Sequence, residues 1–298
     1  MKETKTKTAY IKYLAAVLLF GSNGVIASYI SLTSYEIVLL RTLIGSLFLS
    51  ALFLLTGGKF TFWQKKRQFI AILLSGMAMG GNWMFLYEAY RHIGVGMATL
   101  ACYCGPVIVM VLSPLLFREK LTWPKLAGFA AVLIGVVLVN GKVMVEGGNG
   151  WGLFCGAMSA LTYAALVILN KKARDITGLE NATLQLIASF LTVAAFVWIR
   201  QGLSIQIEKG DWLPVLLLGM LNTGVGCYFY FSSIGRLPVQ TVAICGYLEP
   251  VSAVFFAFLF LKEAMLPVQL LGAALILGGA AFGECYGGAL SKKAAKDL

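Results

Sequence analysis

Two stretches of the chain align without a gap at a separation of 144 residues: VGMATLACYCGPVIVMVLSPLLFREKLTWPKLAGFAAVLIG at residues 95–135 and VQTVAICGYLEPVSAVFFAFLFLKEAMLPVQLLGAALILGG at residues 239–279. The match extends beyond interchangeable apolar residues to a tyrosine, a proline, a glutamate and two glycines. These pairs are Tyr103 with Tyr247, Pro106 with Pro250, Glu119 with Glu263, Gly128 with Gly272, and Gly135 with Gly279. Agreement at such different residue types indicates that the chain contains two copies of one unit.

The composition indicates a protein that is embedded in lipid. Hydrophobic residues make up 59% of the 298 residues and charged residues 12%, which is about half of the usual charged fraction of a soluble domain. This composition excludes a disordered chain, a coiled coil and a secreted disulfide scaffold. The net charge of +11 would suggest nucleic acid only if the basic residues clustered on a soluble face. They lie instead between apolar runs, so we expect a lipid bilayer and no nucleic acid as partner.

Ten apolar runs follow one another along the chain, each close to the ~20 residues that a helix needs to cross the hydrocarbon core. The runs are 11–31, 35–56, 69–91, 94–117, 124–141, 150–172, 180–199, 212–234, 238–261 and 266–288. We therefore predict an all-α integral membrane protein with ten transmembrane helices. The connecting segments are too short to hold a soluble catalytic domain.

Each copy of the repeat contains five of these runs, and an odd number forces the second copy to cross the bilayer upside down. The predicted division is an N-terminal repeat at 1–141, a linker at 142–149, a C-terminal repeat at 150–288 and a basic tail at 289–298. Two inverted repeats are typical of secondary transporters, whose substrate binds near the midplane between the repeats.

Lysine and arginine fall mainly in alternate loops. With Arg41 set aside because it lies inside the second run, 18 of them fall on one side and five on the other. The side with more positive charge is the cytoplasmic one. The split therefore predicts a multi-pass protein of the cytoplasmic membrane with both termini in the cytoplasm.

One motif of the repeat resembles a known family. The phrase Phe117-Arg118-Glu119-Lys120-Leu121-Thr122, echoed by Leu261-Lys262-Glu263, resembles the ten-helix EamA-type branch of the drug/metabolite transporter superfamily. Arg41 and Leu248-Glu249-Pro250 are similar to that family as well. The resemblance implies that spans one to four and six to nine surround a cavity, while spans five and ten form a scaffold. Members move amino acids, amines, sugars, nucleotide sugars and drugs, so the resemblance leaves the substrate open.

Two prolines mark the middle of the fourth and ninth spans. Pro106 and Pro250 cannot donate a backbone hydrogen bond, and each ring displaces the carbonyl four residues earlier, so we predict helix kinks there. Irregular backbone at this depth is tolerated only against protein or a water-filled cavity. Tyr103 and Tyr247 lie beside the freed carbonyls and are predicted to flank the substrate. Hydroxyl bonds between two kinked scaffold helices are the alternative.

Glu249 lies at the centre of the ninth span. A charge at that depth costs on the order of 3 kcal/mol, so its carboxyl should face the protein interior or a cavity. There it could bind a cationic substrate, carry a coupled proton, or do both in competition. A structural partnership with a helix dipole or a hydroxyl is the alternative.

Amide and aromatic residues in three other spans are further candidates for the cavity wall. Asn82 and Trp83 lie in span three, Asn222 and Tyr228 in span eight, and Asn23 in span one. An aromatic face beside a carboxylate suits an ammonium group through cation–π attraction. Ordinary packing and hydrogen bonds between helices are the alternatives for each.

Two further charged residues are predicted to take part in coupling or gating together with Glu249. Arg41 lies about two turns inside the outer end of span two and Glu88 towards the outer end of span three. Arg41 could pair with Glu36 or Glu88, or meet a substrate carboxylate.

Glycines four residues apart allow helices to approach closely. Gly279, Gly283 and Gly287 have this spacing in span ten. The spacing predicts either packing within the chain or a homodimer through span ten.

Enzymatic and ATP-driven functions find no support in the sequence. A Walker A phosphate-binding loop is missing, His92 is the only histidine, and the six cysteines all lie in apolar runs. We therefore predict no cofactor, no metal site and no catalytic residues.

These observations predict a secondary active transporter for a small molecule, working by alternating access with coupling to protons. We favour export of an amino acid or amine-like metabolite. An importer of a cationic metabolite such as a quaternary ammonium compound is the alternative within this class. A passive channel and a membrane-embedded enzyme are the alternatives from other classes.

Overall fold

A computed structural model describes residues 2–117, 123–145, 149–173, 175–202, 205–234, 237 and 245–294. These residues are helical apart from short connections and contain no strand. The helices are α1 Lys2–Gly21, α2 Asn23–Ser28, α3 Ser34–Leu55, α4 Lys66–Ile93, α5 Val95–Cys102, α6 Gly105–Phe117, α7 Trp123–Val145, α8 Gly150–Lys171, α9 Gly178–Gln201, α10 Trp212–Leu216, α11 Gly226–Ile234, α12 Leu248–Leu261 and α13 Pro267–Ala294. A 3₁₀ turn at Phe62–Gln64 precedes α4, and a π-helical segment at Leu217–Val225 joins α10 to α11.

The predicted all-α class is confirmed. Among the described residues, six helical stretches are long and apolar enough to cross a membrane: Lys7–Ser28, Ser34–Leu55, Lys66–Ile93, Gly150–Lys171, Gly178–Gln201 and Trp212–Tyr230. Four shorter apolar helices, at Val95–Val109, Leu126–Val139, Leu248–Leu261 and Pro267–Gly283, overlap the remaining predicted runs. Because these four fall short of the length of a full span, ten crossings stay a prediction.

The helices before residue 146 pack in the same way as those after residue 148. The helix α1 packs on α11 and α12, just as α8 packs on α4, α5 and α6. Likewise α3 contacts the π-helical segment, and α9 contacts α4. Three further contacts join helices at equivalent places in the two repeats, namely α3 with α9, α5 with α12, and α7 with α13. The bundle is therefore approximately twofold symmetric, in agreement with the repeat in the sequence.

The glycines of the repeat lie where α7 and α13 cross. A Cβ built on Gly135 would lie 2.5 Å from the carbonyl oxygen of Gly272, and one built on Gly272 would lie 2.7 Å from the carbonyl oxygen of Gly135. Gly128 and Gly279 face each other in the same way about two turns further along the helices. The two backbones are thus in direct contact, which only glycine allows. Gly279 is engaged within the chain, and the homodimer through span ten stays a prediction.

Part of the family motif lies outside the described residues. The motif residues concerned are 118–122, including Glu119. Residues 146–148 of the predicted linker also lie outside the described residues. The second copy of the motif, at Leu261-Lys262-Glu263, is described.

A Cβ at the crossing of α7 and α13 should destabilise the protein. A Cβ on Gly279 would lie 2.7 Å from that of Ala131 and 2.9 Å from the carbonyl oxygen of Gly128, whereas the neighbouring Gly278 has nothing within 4 Å. Overpacking of this kind costs about 1–3 kcal/mol. We expect Gly279→Ala to lower the free energy of unfolding in mixed detergent micelles by this amount. Gly278→Ala is the matched control and should leave it unchanged or raise it, since alanine favours the helix. Equal effects of the two variants would contradict the close crossing.

Candidate functional site

The helices enclose a cavity of about 760 Å³, which lies within the size range of small-molecule sites. Residues of α1 to α5, α8, α9, α11 and α12 line it. No described residue of α7 or α13 does so, and these two helices pack on each other outside the cavity. The arrangement of cavity helices and scaffold helices is the one that the family resemblance implies.

The cavity reaches one end of the bundle, where α8 ends and α9 begins. Exposed Lys171 and Thr177 line it there. Towards the opposite end its wall is formed by Tyr87 and Thr99, which are only 2% and 4% exposed, and by Tyr90, which is half-buried. The cavity is therefore accessible at the α8–α9 connection and closed at the other end.

Glu263 ties two helices together at the closed end. Its carboxylate oxygens accept hydrogen bonds from the backbone N–H groups of Val95 at 2.9 Å and Gly96 at 3.0 Å. These N–H groups lie in the first turn of α5, where a helix has unpaired donors and attracts negative charge. Because Glu263 follows the end of α12, the bond joins a helix of the second repeat to a helix of the first.

The two predicted proline sites coincide with helix breaks. The helix α5 ends at Cys102 and α6 begins at Gly105, just before Pro106. A turn at Tyr247 likewise precedes α12, which contains Pro250 in its first turn. In both places the break lies about one turn before the proline, as expected from the clash of the ring with the preceding carbonyl.

The breaks bring Tyr103 and Glu249 to the cavity wall. Glu249 is half-buried, and the hydroxyl of Tyr103 is its hydrogen-bonding neighbour. Tyr247 does not line the cavity. Its ring centroid lies 6.5 Å from that of Tyr103, and the side chain packs against the cluster around Leu100 that joins α5, α6, α7 and α13. Of the predicted tyrosine pair, the structure thus places one member in the cavity and the other behind it.

Arg41 is the most deeply buried charged residue of the cavity wall, with 1% of its surface exposed. Its Nε donates to the hydroxyl of Thr223 at 3.1 Å, and its Nη1 donates to the hydroxyl of Tyr87. The guanidinium carbon lies 4.4 Å from the ring centroid of Trp83 and 5.1 Å from that of Tyr87. In the described part of the chain, no ion pair joins Arg41 to a carboxylate, and neither Glu36 nor Glu88 contacts it.

Three other predicted residues line the cavity. Asn82 is fixed by a bond of 2.8 Å from its Nδ2 to the carbonyl oxygen of Ser159. Trp83 presents its ring face to Arg41, so the cation on that ring is a side chain of the protein itself. Asn23 accepts a hydrogen bond of 3.0 Å from Asn222.

The structure places three further predicted residues outside the cavity wall. Asn222 donates to the carbonyl oxygen of Leu19 at 2.7 Å and so holds the junction of α1 and α2. The ring of Tyr228 carries the ammonium group of Lys12 at 4.8 Å. Glu88 accepts a bond of 3.2 Å from Trp151 and lies 3.4 Å from His92. Each of these side chains is directed towards a neighbouring helix rather than the cavity.

Sequence reasoning missed several polar residues of the cavity wall. These are Tyr163, Lys171, Asn181 and Tyr230. Each is a polar side chain inside or at the end of an apolar run, which is a visible signal but does not reveal the direction of the side chain. Gln185, the repeat partner of Arg41, is not among the missed residues: as an amide inside an apolar run it is a plausible polar liner from the sequence alone, and it does line the cavity, where its Nε2 donates to Asn181.

Comparison with known proteins identifies the fold and the family. The sequence profile of the EamA-like transporter family matches the chain twice, at residues 7–141 and 150–282. The uncharacterized transporter YxxF of Bacillus subtilis (strain 168) is 27% identical over 92% of this chain and 88% of its own length. A probable amino-acid metabolite efflux pump of Salmonella typhimurium (strain LT2) is 27% identical over 67% of this chain and 71% of its own length. A solved crystal structure with 20% identity superposes with a TM-score of 0.64 over 93% of this chain and 98% of the other.

These matches cover both repeats, and the relatives are named as transporters rather than enzymes. The apolar helices and the family match together identify the protein as a multi-pass membrane protein. The resemblance found in the sequence motif is thereby confirmed, and the chain belongs to the EamA-like transporter family of the drug/metabolite transporter superfamily.

Proposed function

We propose that this protein is a secondary active transporter that exports an amino acid or amine-like metabolite across the cytoplasmic membrane. The observation that carries the proposal is a single cavity that contains Arg41 and Glu249, reaches one end of the bundle and is closed at the other. Membership of a transporter family and a relative named as an amino-acid metabolite efflux pump support it. A closed end favours a transporter over a passive channel, since a channel needs a continuous path.

The described conformation fits the inward-facing state of an alternating-access cycle. The accessible end lies beside Lys171 and Lys172, on the side where the charge distribution predicts the cytoplasm. Closure of the outer end then depends on Glu263, which joins α12 to α5. For the substrate to leave outwards, this bond between the two repeats must break.

Glu249 is the proposed site of proton coupling. Its carboxyl lines the cavity, so a proton and a substrate ammonium group would compete for the same oxygens. Release of the substrate on one side would follow protonation of Glu249, and binding on the other side would follow its deprotonation. This competition links the two fluxes without a second ion site.

The importer of a quaternary ammonium compound remains the second candidate. Glu249 beside the ring of Tyr103 is the observation that favours it, because a carboxylate and an aromatic ring suit such a cation. Proteoliposomes loaded in turn with amino acids, amines and quaternary ammonium compounds would separate the two candidates.

Replacing Glu263 should shift the conformational equilibrium towards the outward-open state. Glu263→Gln loses the negative charge and leaves one N–H of α5 facing a donor. Charge-assisted hydrogen bonds contribute about 1.5–3 kcal/mol, so the outward-open population should rise at least ~10-fold. We would introduce Thr99→Cys into a variant whose native cysteines are replaced by alanine, and measure its labelling by a membrane-impermeant maleimide from the outside. Labelling should increase in Glu263→Gln.

The matched control is Glu208→Gln, an exposed glutamate in the connection between α9 and α10 at the same end of the bundle. It should leave the labelling of residue 99 unchanged. Equal labelling in all three proteins would show that Glu263 does not hold the outer end closed.

Replacing Glu249 should uncouple transport from the proton gradient. Glu249→Gln keeps the size of the side chain but cannot exchange a proton. In proteoliposomes, substrate accumulation driven by a pH gradient should fall at least ~10-fold, to the level measured without a gradient. Glu208→Gln again serves as the control and should accumulate substrate as the wild type does. Retention of both substrate binding and proton flux by Glu249→Gln would remove Glu249 from the mechanism.

A further inference from the structure

Arg41 is a buried cation whose charge is not neutralised by direct contact with a carboxylate. Two of its three nitrogens are engaged, Nε with Thr223 and Nη1 with Tyr87. Within the described ranges, the hydrogen bonds of Arg41 come from Nε and Nη1 only, Nη2 is not one of the fully buried atoms that lack a partner, and the side chain has no ion pair. A buried charge is costly unless it is paired, and charged residues inside a membrane protein are kept at functional sites. An anionic group that enters the cavity would supply the direct charge partner that the described part of the chain does not provide.

The surroundings of Arg41 hold the guanidinium plane in place. The guanidinium carbon lies 4.4 Å from the ring centroid of Trp83 and 5.1 Å from that of Tyr87. The hydrogen bond from Nε to the hydroxyl of Thr223 holds the group from another side. A planar guanidinium held in this way is suited to bind a carboxylate with two parallel hydrogen bonds. Because Arg41 lines the cavity, its unused nitrogen is available from there.

Glu249 supplies the opposite charge in the same cavity. It lies on α12 and interacts electrostatically with Arg41, but among the described residues no ion pair joins the two. Apart from Lys171 at its open end, the cavity thus contains one positive and one negative group that do not neutralise each other by direct contact. A molecule that carries both a negative and a positive charge would pair with Arg41 and Glu249 at the same time.

The amides Asn82, Asn181 and Gln185 of the wall are hydrogen-bonded to other groups of the protein, and the rest of the wall is mainly aliphatic and aromatic. Met79, Leu86, Leu166 and Val167 contribute apolar surface, and Tyr163 contributes a ring. A polar or charged side chain on the substrate would lose its hydration against these residues without replacement. An apolar side chain fits them.

We propose, on the basis of the transport function proposed above, that the site selects the zwitterion of an apolar α-amino acid, and that Arg41 is the residue that determines this specificity. The substrate carboxylate accepts hydrogen bonds from Arg41, its ammonium group donates to Glu249, and its side chain lies against the apolar wall. An amine or a quaternary ammonium compound leaves Arg41 unpaired, so the site rejects it.

Matched ligands that differ by one charged group test the proposal directly. One series is L-phenylalanine, 2-phenylethylamine, which lacks the carboxylate, and 3-phenylpropanoate, which lacks the ammonium group. The second series is L-leucine, 3-methylbutylamine and 4-methylpentanoate. Binding to the purified wild-type protein in detergent is measured by isothermal titration calorimetry. In at least one series the amino acid should bind ~10-fold or more tightly than both of its relatives. If the amine binds as well as the amino acid in both series, or if neither amino acid binds, the proposal is overturned.

Substitution of Arg41 then separates recognition from structure. Arg41→Gln should lose at least ~10-fold in affinity for the amino acid while its affinity for the corresponding amine stays within about twofold. Arg200→Gln is the matched control, since Arg200 also stacks on an aromatic ring, that of Tyr35 at 4.7 Å, but lies outside the cavity wall. It should bind both ligands as the wild type does. Equal losses for amine and amino acid in Arg41→Gln would assign Arg41 a structural role only.

Two further measurements keep the outcomes distinct. If Arg41→Gln does not fold, Arg41→Lys replaces it, which retains the charge but not the two-pronged geometry and should lose affinity for the amino acid alone. Flux is measured separately in proteoliposomes. Transport of amines without preference for amino acids would overturn the zwitterion inference and leave the transport function intact. Tight binding of an amino acid without any translocation would do the reverse.

Discussion

The structure depends on the cost of placing charge in hydrocarbon. Arg41 and Glu249 lie in apolar helices of a multi-pass membrane protein, and an isolated charge inside a membrane is strongly unfavourable. Local partners offset this cost. The hydroxyl groups of Thr223 and Tyr87 and the ring of Trp83 stabilise the arginine, and Tyr103 stabilises the glutamate. The cavity that both groups line is accessible at one end, which lets them face a polar medium instead of hydrocarbon. The helix breaks before Pro106 and Pro250 follow the same rule, because backbone groups freed from the helix must also face protein or water.

The scaffold and the cavity are made from different residue types for a physical reason. Where α7 and α13 cross, Gly128, Gly135, Gly272 and Gly279 bring two backbones into contact. Such contact is stabilised by dispersion over a large, rigid surface and does not require a solvent-driven force, which is absent between helices in lipid. The helices that line the cavity contact each other through larger side chains and a few polar bonds, such as that of Glu263 to α5. The rigid part can therefore stay fixed while the bonds at the ends of the cavity form and break.

The sequence predicted the repeat, the apolar runs and the two helix breaks, because each follows from residue type and position along the chain. It could not predict the direction in which a side chain points. Asn222 lies in the middle of an apolar run, but it belongs to the π-helical segment Leu217–Val225, whose wider turn rotates the following residues relative to an ideal α-helix. Tyr228 follows this segment and is directed to Lys12 instead of the cavity. The partner of Glu88 could not be predicted from the sequence for another reason, since Trp151 comes from α8, 63 residues away in sequence.

The helices around the cavity follow the twofold symmetry of the repeats, whereas the charged residues of the cavity do not. Both repeats present equivalent helices to the cavity, so the proposed alternating-access cycle would reach its two conformations by the same movement in opposite directions. The charged residues do not follow this symmetry: the repeat partner of Arg41 is Gln185, and that of Glu249 is Gly105. Gln185 is bonded to Ser75 and Asn181, and Gly105 leaves room for the ring of Tyr163. A substrate bound between Arg41 and Glu249 would therefore lie off the symmetry axis. It would contact both repeats unequally, and its release would be tied to the movement of α3 and α12 more than to that of their partners.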